Sequence, residues 1–202
     1  MNPQRHCHRA GSGGRTTWPR KDIKMTVERL RLTAVALAVA ASTTFALAAE
    51  PTLKVGDPAP KLRTGKWVQG EPVKEFEKGK AYLVEFWATW CPPCRASIPH
   101  LNDIHKKFKD KGLIVIGQNV SERDESRVAP FVKNMGDKMT YRVALDDKSS
   151  NRAGEMSTTW MEAAGQEGIP TAFLVDAKGT IAWIGHPMQL KEKTIEDALA
   201  AK

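Results

Sequence analysis

The run "YLVEFWA", Tyr82 to Ala88, is apolar everywhere except at Glu85. β-branched and aromatic residues over a strand's length, with no polar face, predict a central strand buried on both sides. It leads directly into "TWCPPC". From Cys94 onward the period changes: Ile98, Leu101, Ile104 and Phe108 recur at spacings of three and four, with "KKFKDK" on the other side. That is an amphipathic helix ending near Gly112, and Pro99 inside it predicts a kink. "GLIVIGQNV" (Gly112 to Val120) predicts a second buried strand, Ser126 to Gly136 a short helix, and Thr140 to Asp147 a third strand. Glu155 to Ala164 reads as another helix. "TAFLVD" and "TIAWIGH" flank Ala177 to Gly179 as a hairpin, and "KEKTIEDALAA" closes the chain as a helix. Upstream, Val55 to Leu62 is punctuated by proline, and Leu62 to Val73, with Gly65 and Gly70, predicts a small N-terminal hairpin. Alternating strands and helices followed by a hairpin and a helix define an α/β fold, a mixed central sheet flanked by helices on both faces.

Charge changes this picture at one end only. The formal charge of +8 would point to nucleic acid or a membrane surface if it were spread along the chain. Residues 1–49 instead hold eight Lys/Arg against two Asp/Glu, and residues 50–202 hold 23 against 21. The basicity belongs to the leader, and no nucleic-acid partner is expected. Residues 25–49 have the layout of a secretory signal: Arg29 and Arg31, an apolar stretch from Leu32 to Ala41 too short to span comfortably, and "ALA" from Ala46 to Ala48 as a cleavage site. An uncleaved membrane anchor is the alternative. Residues 1–24 read as an over-extended N-terminus, with Met25 as the natural start, and residues 50–202 as the exported domain.

Export removes Cys7 and leaves Cys91 and Cys94 as the only cysteines. A pair two residues apart in an oxidising compartment is a redox pair. A structural disulfide across so short a loop constrains the unfolded chain little, and half a zinc site lacks its second ligand pair. The strand-to-helix turn places Cys91 against unpaired amide N–H groups and the positive end of the helix dipole, which favours its thiolate. Cys91 is therefore the expected nucleophile, and Cys94, one turn further in, the resolving thiol. Pro92 and Pro93 fix the intervening backbone and withhold two N–H donors. His100 and His105, five apart, lack chelating spacing and read as a solvated helix face, and His186 as a surface residue. No metal site is expected.

"FWATWCPPC", Pro99 eight positions after the first cysteine, and "GIPTAFLVD" together resemble the thioredoxin fold, specifically the exported TlpA/ResA-like thiol–disulfide oxidoreductases, from about Val55 to the C-terminus. The additional helix and strand between Val120 and "GIP" resemble that branch's central insertion. The resemblance implies that Pro170 is a cis proline packed against the cysteines, and that the Ile169 backbone pairs with an extended substrate segment. It implies a buried Glu85 that moves the proton of Cys94; burial would raise its pKa. Trp87 and Trp90 match aromatics around the site, Trp90 shaping the substrate surface. Two departures stand out: Ser97 replaces a glutamate frequent in this branch, and "GLIVIGQNV" lacks the lysine that often partners the buried acid, so that Glu85 is expected to titrate higher than in those relatives. The implied function is reduction of oxidised proteins, cytochrome c apoproteins among them, in the periplasm or another extracytoplasmic compartment. The electrons come from a membrane thiol donor through the Cys91–Cys94 disulfide, without another cofactor. Two other readings stay open: a peroxiredoxin-like peroxidase, although residue 88 is Ala where that branch has Thr or Ser, and a Cu(I)-binding thiol module.

Overall fold

Strand β2 (Ala81–Trp87) is the centre of the architecture, and all seven of its residues are buried. In the computed structural model, which describes residues 50–201, it lies inside a six-stranded sheet of order β1-β4-β3-β2-β5-β6. The other strands are β1 (Thr64–Gln69), β3 (Leu113–Asn119), β4 (Arg142–Asp146), β5 (Thr171–Val175) and β6 (Ile181–Gly185). β2 pairs in parallel with β3 and antiparallel with β5; β3 and β4 are parallel, and the two edge strands are antiparallel to their neighbours. The expectations for the leader, namely the signal, the anchor alternative, the start at Met25 and the position of Cys7, lie outside the described residues. Among the described residues, no helix is long and apolar enough to cross a membrane.

Alternation along β2 builds two cores. Leu83 and Trp87 face one layer, with Ile98, Leu101 and Phe108 of helix α1 (Pro92–Phe108), Val128 and Val132 of α2 (Val128–Met135), and Ile195 and Ala198 of α3 (Glu192–Ala200). Tyr82, Val84 and Phe86 face the other layer, with Phe173, Met156 and Trp160. Each large apolar side chain so buried contributes about 1.5–3 kcal/mol, which makes both faces obligatory for the strand. Glu85 falls on the Leu83–Trp87 side, beneath α1.

Three expectations change. The segment with Gly65 and Gly70 is no hairpin: β1 is a single strand paired antiparallel with β4. A Cβ on Gly65 would stand 2.8 Å from the Asp146 carbonyl oxygen, and one on Gly70 3.3 Å from Arg142 Cα. Both glycines permit close approach to a distant strand; they do not form a turn together. The helix read from Glu155 to Ala164 is largely π-helical, over Ser157–Glu162, with Ala163 N–H donating to the Thr158 carbonyl at 3.2 Å and Gln166 N–H to the Met161 carbonyl at 2.8 Å. His100 and His105 are half-buried and do not form a solvated face. Each has a buried ring nitrogen without a partner, and the His105 ring meets Tyr141 edge-on at 6.5 Å. Burial lowers the His105 pKa, assisted by Lys109 and Arg142. His186, also half-buried, accepts the Met188 amide N–H on Nδ1.

Candidate active site

Where β2 ends, the chain turns into α1 with Cys91 as its N-cap and Pro92 and Pro93 in the first turn. Proline is tolerated there because the first amides of a helix have no intrahelical acceptor, and its fixed φ suits the helix start. The Cys94 amide N–H donates to Cys91 Sγ at 3.2 Å, and the two sulfurs form a disulfide with 5.3 Å between the Cα atoms. The helix runs through Pro99 as one element of 17 residues. Cys94 is wholly buried, and Cys91, itself only 3% exposed, lines a groove of about 680 Å³. Trp90, Pro92, Pro93, Val120, Met161 and Ile169 line that groove with it.

Two further segments complete the groove. The Ile169–Pro170 peptide is cis, and Cys91 Sγ lies 3.8 Å from the Ile169 carbonyl oxygen. Among the described residues, no backbone group pairs with Ile169, so its N–H and C=O face the groove free to meet an extended peptide. On the opposite rim Trp90 is 54% exposed, and its Nε1–H donates to the Ser121 carbonyl at 3.1 Å. Trp87, by contrast, is fully buried against Phe131, as a core residue.

Glu85 sits opposite Gly117 of β3 and Ala172 of β5, completely buried, and neither carboxyl oxygen has a hydrogen-bond partner. Burial alone drives its pKa well above the usual carboxylate range. Among the described residues, no lysine offsets that cost. Ser97, at the position where a second acid was absent from the sequence, returns its hydroxyl to the Cys94 carbonyl at 2.8 Å.

Two acids that the sequence did not single out hold the site's walls. The buried carboxylate of Glu122 accepts from Thr89 N–H at 2.9 Å, Thr89 Oγ1–H at 2.8 Å and Asn119 Nδ2–H at 3.2 Å. It thereby clamps the turn two residues before Cys91. Its neighbour Ser121 adopts a left-handed φ of 53°, a conformation costly for a residue with a Cβ, and so presents its carbonyl to Trp90. Asp146, at the end of β4, accepts from Met156 N–H at 2.8 Å, Ser157 N–H at 3.0 Å and the Ser157 hydroxyl at 2.7 Å. This secures the start of the π-helix that carries Met161 into the groove. A sequence hint existed for each, a carboxylate at or just beyond the end of a predicted strand, but the partners are assembled by chain crossings that spacing does not reveal.

A mixed sheet with a cysteine pair capping the helix after its central strand, facing a cis proline, defines a thioredoxin-fold thiol–disulfide oxidoreductase. Comparison with known proteins agrees. Residues 54–201 match the Redoxin family model, and the chain belongs to that family as a TlpA/ResA-like thiol–disulfide oxidoreductase acting on proteins. Thiol-disulfide oxidoreductase ResA of Bacillus thuringiensis is 32% identical over 151 residues, covering 73% of this chain and 78% of that protein. Protein FixW of Rhizobium leguminosarum is 32% identical over 148 residues, covering 70% of this chain; the chain spans 64% of the length of FixW. A thiol:disulfide interchange protein of Chlorobium tepidum superposes with a TM-score of 0.56 at 31% identity, over 73% of this chain and 99% of that structure.

Proposed function

We propose that the protein is an extracytoplasmic reductase of protein disulfides, with Cys91 as nucleophile and Cys94 as resolving thiol. The observation that carries this reading is the asymmetry of the pair: of the two sulfurs, both nearly buried, Cys91 lines the groove beside the Ile169 backbone and Cys94 does not. In the reduced protein the Cys91 thiolate, favoured by the amides of the α1 N-terminus, attacks a substrate disulfide. One substrate sulfur leaves as a thiolate, and the other forms a mixed disulfide with Cys91. Glu85 takes the proton of Cys94, whose thiolate then attacks Cys91 Sγ. The second substrate sulfur leaves, and the Cys91–Cys94 disulfide described above is the product. Trp90, Pro92, Pro93, Ile169 and Pro170 form the docking surface, the substrate strand lying along Ile169.

The enzyme needs no further cofactor in this scheme, since the dithiol carries both electrons. A thiol donor in the membrane returns them. The secretory pattern of the leader supports an extracytoplasmic location, and the resemblance of the "FWATWCPPC" and "GIPTAFLVD" motifs to TlpA/ResA-like oxidoreductases is the ground for the reducing direction and for cytochrome c apoproteins as candidate substrates. The test is trapping. Cys94→Ser should accumulate mixed disulfides through Cys91, visible on non-reducing gels, whereas Cys91→Ser should accumulate none. Equal trapping by both variants, or by neither, overturns the assignment.

A further inference from the structure

Glu85 is not the only buried polar group left without a partner beneath α1. Trp87 Nε1 and the Tyr141 hydroxyl, both in fully buried residues, also lack one. Buried polar groups are nearly always paired, and an orphaned donor costs about 1–3 kcal/mol, so several orphans in one place call for a purpose. These converge. A Cβ built on Gly117, the direct cross-strand partner of Glu85, would come within 3.0 Å of Tyr141 Cε2 and 3.1 Å of Trp87 Nε1. Trp87 also follows Glu85 by two residues on the same face of β2. Gly117 thus brings an acid and two donors to one small region of the core. The rise in the Tyr141 pKa, caused first by burial and then by the charge of Glu85, reflects the same proximity.

Chemistry supplies the purpose. To accept the Cys94 proton, Glu85 must first be ionised, and a buried carboxylate without donors resists ionisation strongly. Resting on the proton transfer assigned to Glu85 above, we propose that the Tyr141 hydroxyl and the Trp87 indole N–H are donors held in reserve for the Glu85 carboxylate. They engage it directly or through an internal water when it ionises, and so set the pH at which the mixed disulfide is resolved. Tyr141 and Trp87 are positioning residues: they act through Glu85. The step balances simply. The Cys94 S–H bond breaks, the proton passes to the Glu85 carboxylate, and the Cys94 sulfur pair forms the bond to Cys91 as the substrate thiolate departs. Gly117 is the device that permits this arrangement, because any side chain there would press on both donors.

The titratable and charged groups facing this region are few. Cys94 and His105 come from α1 and Tyr141 from the segment before β4. Next to Tyr141, Arg142 directs its Nε–H to the Glu71 carbonyl at 3.0 Å. β3 and β5 present Val115, Gly117, Ala172 and Leu174, none of which titrates. Of the two histidines on α1, His105 is the one packed against Tyr141, and it has its own control.

The experiment follows two successive thiolate releases when the reduced protein reacts with a symmetric nitrothiobenzoate disulfide. The first release reports attack by Cys91, and the second reports resolution by Cys94. Tyr141→Phe should leave the first phase unchanged and move the pH midpoint of the second upward by about one unit, slowing it about tenfold below the midpoint. Trp87→Phe should act in the same direction and serves if Tyr141→Phe does not fold. His105→Asn should not move the midpoint. In a Glu85→Gln background, Tyr141→Phe should change nothing further. An unshifted second phase in Tyr141→Phe, or a shift that persists in Glu85→Gln, overturns the proposal. Loss of the first phase in the wild-type protein would instead strike at the assignment of Cys91.

Discussion

Two carboxyl groups are buried in this sheet, and they are treated in opposite ways. Asp146 receives three donors from the start of the π-helix, whereas Glu85, two strands away, receives none in the described structure. Burial raises both pKa values, but hydrogen bonds to Ser157 and Met156 restrain the rise at Asp146, and nothing restrains it at Glu85. An acid whose lone pairs are filled is a structural tie: it holds the groove wall to the sheet. One held empty on the α1 side of the sheet is suited to exchanging a proton, because a small change in its surroundings alters its charge. Glu122 belongs with Asp146, as a filled carboxylate that anchors the other rim.

The contrast can be broken most forcefully at its structural end. Asp146→Ala leaves two amides and a hydroxyl without their acceptor and should cost about 3 kcal/mol in chemical denaturation, with loss of substrate trapping as the π-helix loosens. Asp146→Asn, which keeps one oxygen, should cost about 1 kcal/mol. Glu85→Leu should do the reverse: it removes an orphaned acid and should stabilise the fold by about 1 kcal/mol, while slowing mixed-disulfide resolution about 100-fold at neutral pH. A Glu85→Leu protein that is both less stable and fully active would erase the distinction between the two acids. Glu122→Ala should fall between, costing about 1–2 kcal/mol and altering Cys91 reactivity through the released Thr89 turn, read as the pH dependence of Cys91 alkylation.

The smallest effect lies in the pH dependence of stability. Folded Glu85 retains a proton that the unfolded chain releases above about pH 4.3, so its contribution is fully present below that value and is lost as pH rises through the raised folded pKa. Urea midpoints of the wild type should therefore decline over that window, and those of Glu85→Gln should decline less. Asp146, also raised, adds a weaker slope of the same sign. Equal slopes in wild type and Glu85→Gln would show that Glu85 ionises in the fold at its ordinary pKa.

The order of strands and helices was legible from residue pattern because burial on two faces leaves an unambiguous mark. Tyr82 to Ala88 could only be a central strand, and Ile98, Leu101, Ile104 and Phe108 could only be one face of a helix. The cysteine pair was legible for a related reason, since the helix-capping geometry that places Cys91 over Cys94 is local. Pattern failed wherever a residue answers to a partner far along the chain. Gly65 and Gly70 read as turn residues, yet they serve the crossing with β4, and His100 and His105 read as exposed until α1 settled against Tyr141. The π-helical register of Ser157–Glu162 was equally invisible.

The sequence by itself determined that a dithiol caps a helix following a buried strand, because each of those relations spans only a few residues. Tertiary structure alone decided which acids are filled and which is left empty, and it alone placed Glu122 on Thr89, Asp146 on Ser157, and Trp87 and Tyr141 around Gly117. Hydrogen-bond satisfaction and desolvation depend on distances of a few ångströms between segments tens of residues apart, and periodicity along a chain carries no record of those distances.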